Sequence, residues 1–192
     1  MRRKILVIAP TLYEHEPLPG VRDEIEELQR YHDVTPLRDD VDLAGITRAV
    51  NKGRFDALWF STGATDGQLH LSRQRIDHEQ IIGLAKACKA RLVVLSACDT
   101  QMLPNRLRVA NVHVFAGITE LIDHEAASVM MLFAKALHNQ RSIRKAYEAI
   151  GAGDNYLYLS PNGSLEDDRW YWLIAGAGIS AAMATLYMAI GA

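Results

Sequence analysis

Five short apolar runs, each separated from the next by an amphipathic stretch, constrain this chain more than anything else in it. KILVIAP (4–10), HDVTPL (32–37), FDALWFST (55–62), RLVVLSA (91–97) and VHVFAGI (112–118) read as strands. Near-continuous apolar runs are the mark of strands covered on both faces. Helical patterns fill the gaps. In VRDEIEELQRY (21–31), Val21, Ile25 and Leu28 recur at helical spacing and the acids come early, where the helix dipole favours them. Asp42 is placed to cap LAGITRAVNKG, which stops at Gly53, and Asp77 precedes EQIIGLAKACKA, with Ile81, Leu84, Ala85 and Cys88 on one stripe. DHEAASVMMLFAKALHN (123–139) places Ala126, Met130, Phe133, Ala134 and Leu137 together, and RSIRKAYEAIG (141–151) has Ser142 or a neighbour as cap. Such alternation predicts an α/β fold with a parallel sheet between two layers of helices. The proline in 32–37 assigns that strand to an edge. GATDG (63–67) is a turn, GQLHLS a hairpin arm, and 99–111 is expected to break at Pro104.

The 192 residues suffice for one domain with a full core. A net charge of -2 gives no bulk attraction to nucleic acid, so no nucleic-acid partner is expected. Cys88 and Cys98 form no ligand pattern, and no His/Asp cluster has metal-ligand form, so neither a metal nor another cofactor is expected. There is no GxGxxG after the first strand and no GxxxxGK[ST], so both nucleotide readings lack their phosphate cradle. MRRKILVIAP resembles a signal peptide only briefly and reads as the first strand.

The tail differs from the rest. Residues 154–169 are polar and turn-rich and read as a linker after a domain spanning 1–153. Residues 170–192 contain no charged side chain. As a helix they span roughly 34 Å, against a bilayer core of about 30 Å. Trp170, Tyr171 and Trp172 stand where an aromatic belt belongs, and Gly176, Ser180 and Ala184 form a ridge of small residues suited to close helix contact. Two readings follow. Either 170–192 crosses a membrane as a tail anchor, with the domain in the cytoplasm, or the chain is cytoplasmic and the helix is buried in a homo-oligomer or against the domain.

In a parallel sheet, chemistry collects beyond the carboxyl ends of the strands, and Cys98, Ala64 and Thr119 fall at such ends. A nucleophilic cysteine needs thiolate character and access, which a strand end facing a helix start can supply. Cys98 meets the positional requirement. Cys88 sits on an apolar helical stripe and reads as core. From the residues alone, Cys98 is either a buried structural thiol or a reactive one.

RLVVLSACDT resembles the cysteine strand of the CHAT family, caspase-like cysteine peptidases of clan CD in which a hydrophobic run leads to S-A-C-[DE]-T. DALWFSTGA is similar to that family's histidine strand, a hydrophobic run followed by Gly-His-Gly. The segment VHVFAGITELIDHEAASVMMLFAKALHNQRSIRKAYEAI resembles the next family stretch. The likeness implies a caspase-like three-layer sandwich, peptide-bond cleavage and a His–Cys dyad. It places Cys98 on the nucleophile, with Asp99 and Thr100 after it, and Gly63 before the histidine. Ala64 falls on the histidine itself and Thr65 on the second glycine. The usual base is therefore missing, and the usual oxyanion donor is altered. Ala64 is either native or introduced. His124 and His70 are the candidates for a relocated base. His113 reads as a packing residue, His78 as a helix-start group, and His15, His32 and His138 have no supporting pattern. Asp66, Asp99 and Asp123 fall near strand ends, where they either line a pocket for a basic side chain or act as caps and turn formers.

Three functions fit these features. The first is a membrane-anchored, degenerate peptidase that binds a peptide or protein partner as an effector module. The resemblance sets such a module in bacterial signalling or antiviral defence. The second is an active cysteine endopeptidase using Cys98 with His124 or His70. The third is an oligomeric effector that perturbs the membrane through 170–192.

Overall fold

The apolar runs become strands in a computed structural model that describes residues 1–11, 20–97, 100, 102–107, 110–117 and 123–161. Six strands form one sheet. They are β1 (Lys4–Pro10), β2 (Asp33–Asp39), β3 (Ala57–Ser61), β7 (Leu92–Ser96), β8 (His113–Gly117) and β9 (Tyr156–Leu159), in the order β2-β1-β3-β7-β8-β9. The first five are parallel and β9 is antiparallel to β8. A small antiparallel sheet, β4 (Ala64–Thr65), β5 (Gln68–His70) and β6 (Arg75–Ile76), is inserted after β3.

Strand alternation splits the core into two layers. Leu6, Ile8, Leu58, Phe60, Val93 and Leu95 face α2 (Leu43–Lys52), α3 (His78–Cys88) and α4 (Leu103–Leu107). Ile5, Val7, Trp59, Val94 and Phe115 face α1 (Gly20–Tyr31), α5 (Asp123–Asn139) and α6 (Ile143–Ile150). On the second side the rings of Phe115 and Phe133 lie 4.3 Å apart and those of Trp59 and Phe133 6.1 Å apart. The α/β sandwich read from the sequence is thus present, with β2 at the edge where its proline placed it.

Local chemistry sets the ends of the elements. Asp42 caps α2 through the Gly45 N–H, and Ser142 caps α6 through the Lys145 N–H. Asp77 and Gln80 form a reciprocal capping box on α3. The buried guanidinium of Arg3 donates to the carbonyl of Leu137, an acceptor the end of α5 leaves over, and to those of Gln140 and Arg141 just past it.

Three expectations need correction. Pro104 does not break the chain but lies in the first turn of α4, where the missing N–H has no helical acceptor to lose. In α5 the buried alanine is Ala127 rather than Ala126, in line with Met130, Phe133, Ala134 and Leu137. Residues 156–159, read as linker, pair along β8 as β9, and the compact unit runs to Pro161. The apolar segment 170–192 lies outside the described residues. Among the described residues no helix is long and apolar enough to cross a membrane.

Candidate functional site

The carboxyl rim of the sheet centres on two serines. Ser61 ends β3, Ser96 ends β7, and the two are paired in register with side chains on the α1 face. The Thr62 N–H extends the pairing to the Ser96 carbonyl at 3.2 Å. Ser61 Oγ is buried without a hydrogen-bond partner among the described residues. Ser96 Oγ donates to Glu24 Oε2 at 3.2 Å.

Glu24 is the residue that reading the sequence missed. It lies in α1, is buried, and also accepts a bond from the indole N–H of the fully buried Trp59. The signal was present: Glu24 is three residues past Val21 and next to Ile25, on the stripe assigned to the core. A charged residue at such a position is buried only with partners. Here those partners come from the middle of β3 and the end of β7.

The small sheet folds back over the rim. Asp66 and Gly67 both have positive φ, 52° and 71°, and join Thr65 to Gln68 as a two-residue turn. A Cβ on Gly67 would lie 3.8 Å from Met102 Cβ, so the hairpin tip reaches the segment that follows β7. Asp66 is exposed at that tip, in the conformation the turn requires. Ala64 and Thr65 are half-buried, and Ala64 packs on the core layer of α2 and α3. His70 donates its backbone N–H to the Gly63 carbonyl at 2.9 Å and accepts from Thr62 Oγ1 at 2.7 Å. Six residues of sequence therefore return a buried histidine to the end of β3.

Cys98 and Asp99 lie outside the described residues. They are bracketed by two buried ones, Ala97 and Thr100, and the Thr100 hydroxyl donates to the Gly117 carbonyl at the end of β8. Thr119 also lies outside them. Of Asp123 and His124 only the backbone is described, in the first turn of α5. His113 shares a 2.7 Å hydrogen bond with the Tyr158 hydroxyl and stacks on its ring, at the other end of the sheet.

Cys88 is buried in α3, and burial raises its thiol pKa above the ordinary value. Alkylation of the folded chain by iodoacetamide should therefore map to Cys98 and spare Cys88 until urea unfolds it. Peptide mapping that finds Cys88 modified equally fast in both states would contradict this burial.

This sheet order, with its antiparallel last strand, frames a comparison with known proteins. A model of the CHAT domain matches residues 2–149. The chain belongs to the CHAT family. No curated protein matches it in sequence. Among solved structures, this CHAT domain is similar to a secreted C11 cysteine protease from Bacteroides thetaiotaomicron bound to an irreversible peptide inhibitor. The TM-score is 0.55 at 10% identity, covering 77% of this chain and 57% of that one. A second structure, of the same bacterium's secreted C11 protease called iotapain, gives a TM-score of 0.55 at 7% identity, covering 84% and 67%. The chain thus spans little more than half of the first of these. At such identities the likeness is one of fold: a caspase-like α/β sandwich with a mostly parallel sheet.

Proposed function

We propose that this CHAT domain is a peptide-binding module held at a membrane by residues 170–192, and that it does not use the family's His–Cys dyad. Ala64 carries this reading. The family resemblance sets the histidine position at Ala64, whose half-buried methyl packs on the core and can neither accept nor deliver a proton. The buried carboxylate of Glu24 behind the rim suits retention of a shaped site for a partner segment. The setting in bacterial defence or signalling follows from family resemblance.

A second reading rests on the bond from His70 to Gly63, which ties an imidazole-bearing residue to the rim. In it, Cys98 attacks a peptide carbonyl and His70 takes the thiol proton and returns it to the leaving amine.

One experiment separates the two. Full-length protein in detergent micelles is incubated with a mixed peptide library, and both cleavage and retained peptides are read by mass spectrometry. Retention without cleavage, the same in wild type and Cys98→Ala, is expected. Cleavage abolished by Cys98→Ala and by His70→Gln would establish the peptidase instead.

A further inference from the structure

The pole of the sheet opposite the rim carries an excess of positive charge. The parallel strands start there in one row, with Lys4 paired to Asp33, Ile5 to Ala57, Ala57 to Leu92 and Leu92 to His113. α1, α2 and α3 each end within a few residues of a strand start, so their C-termini share this pole. The end of α5 joins them through its bonds to Arg3. Arg2, Lys4, Arg54, Lys89, Arg91 and Arg141 are exposed here. None of the six makes an ion pair among the described residues. Of the nearby acids, Asp56 is turned to the Lys4 backbone N–H at 2.8 Å and Glu27 pairs with Arg30, which leaves Asp33 exposed.

Helix dipoles explain only part of this. A basic residue in a last turn complements the helix carbonyls. Arg2 reaches the Arg30 carbonyl in the last turn of α1 at 3.4 Å, but Lys4 and Arg91 begin or precede strands and lie outside any helix. The basic side chains add a smaller contribution to the shifts of buried groups. Burial is the main cause that lowers the pKa of His113 and of Arg3; Arg91 lowers both further, while Asp56 opposes the shift at Arg3. Arg3 also acts on His113, and His32 is disfavoured as a cation chiefly by burial, against the Ala134 carbonyl, and then by His138, Arg3 and the N-terminus.

The chain also leaves the sheet at this pole. β9 runs from Tyr156, opposite Gly117, to Leu159, opposite Val114, back to the row where the parallel strands begin. Residues 162–169 span at most about 30 Å of extended chain before the uncharged segment 170–192 begins.

We propose that this pole docks on anionic phospholipid headgroups, holding the domain on a negatively charged leaflet with its rim directed away from it. The choice of lipid over another polyanion rests on the membrane reading above. Juxtamembrane basic clusters bind such leaflets through many weak, salt-screened attractions, so no single pocket is required.

The test uses the full chain and two kinds of vesicle, phosphatidylcholine alone or with roughly one-third phosphatidylserine. Sedimentation should show binding about tenfold tighter with phosphatidylserine at low salt, a gain lost at about 0.5 M salt. Arg2→Glu, Arg54→Glu, Arg91→Glu and Arg141→Glu together should abolish the gain, and the four glutamine changes should reduce it. Equal binding to both vesicles would overturn the docking surface and leave the apolar segment as sole anchor. Binding only with phosphatidylserine would support the surface and remove the anchor. No binding to either would remove both. A preference emerging only after Glu166→Gln, Asp167→Asn and Asp168→Asn would assign the pole to the chain's own acidic segment and overturn the proposal. So would capture of a short DNA duplex with no lipid preference.

Discussion

Alanine in place of Glu24 should cost about 3 kcal/mol of folding stability, and glutamine about 1 kcal/mol. The difference follows from what each replacement leaves behind. Trp59 is fully buried and donates its indole N–H to the Glu24 carboxylate, while Ser96 Oγ donates to Oε2. Alanine strands the indole donor away from water and opens a cavity between α1 and the sheet. A stranded buried donor alone costs about 1–3 kcal/mol, and lost packing adds to it. Glutamine keeps the shape and one carbonyl acceptor for the indole. Its amide then faces Ser96, whose hydroxyl can turn to accept. Urea unfolding of the three proteins reads both numbers. A cycle with Trp59→Phe should give a coupling energy of about 1 kcal/mol or more, because the two residues share one bond. Equal losses for alanine and glutamine, or no coupling to Trp59, would mean that Glu24 is merely enclosed and does not link β3 to the end of β7. The rim consequence is also measurable. Ser96 stands two residues before Cys98, so freeing it should change the rate at which Cys98 is alkylated, and alanine should change it more than glutamine.

Much of this is legible in the sequence. The strand runs alternate between the two core layers residue by residue, as at Ile5, Leu6, Val7 and Ile8. The caps at Asp42, Asp77 and Ser142 are local chemistry that a window of four residues carries. The Asp66–Gly67 turn is of the same kind. What escaped depends on partners distant in sequence. YLYL at 156–159 sits in a polar stretch too short to announce a strand, and it becomes one because β8 offers a free edge. Glu24 looked like one acid among several in a solvated first turn, until Trp59 and Ser96 supplied donors 35 and 72 residues away. His70 was a candidate by count alone. Its nearness to Gly63 comes from the hairpin register, which pairs Ala64 with Leu69. The likeness of LSACDT to the family's cysteine strand was the most specific signal in the sequence.

Acidification from pH 6.5 to 4 should remove about 3 kcal/mol of stability through His32 alone. His32 is buried at the pole opposite the rim. Its Nε2 lies 2.9 Å from the Ala134 carbonyl, and its Nδ1 accepts the Arg3 N–H at 3.4 Å. This arrangement suits the neutral ring with its proton on Nε2. A second proton on Nδ1 would displace the Arg3 donor. Burial is the largest cause depressing its pKa; the Ala134 carbonyl acts in the opposite direction, and His138, Arg3 and the N-terminus lower it further, to about 4 against an ordinary 6.5. The unfolded chain takes up a proton near pH 6.5 and the native one only near pH 4, so between these values the unfolded state holds more protons. Stability from this group is complete above pH 6.5 and is lost as pH falls towards 4. His113, lowered by burial and by Arg91 and Arg3, acts in the same direction. Urea unfolding at a series of pH values from about 4.5 to 7.5 should show the slope. His32→Gln keeps a donor for the Ala134 carbonyl and has nothing to titrate, so it should flatten most of that slope while lowering stability at neutral pH by about 1 kcal/mol. An unchanged slope in His32→Gln would place the acid sensitivity elsewhere. A slope of opposite sign in the wild type would mean that the ring is charged in the folded protein, and that the positive field at this pole is far weaker than its arginines imply.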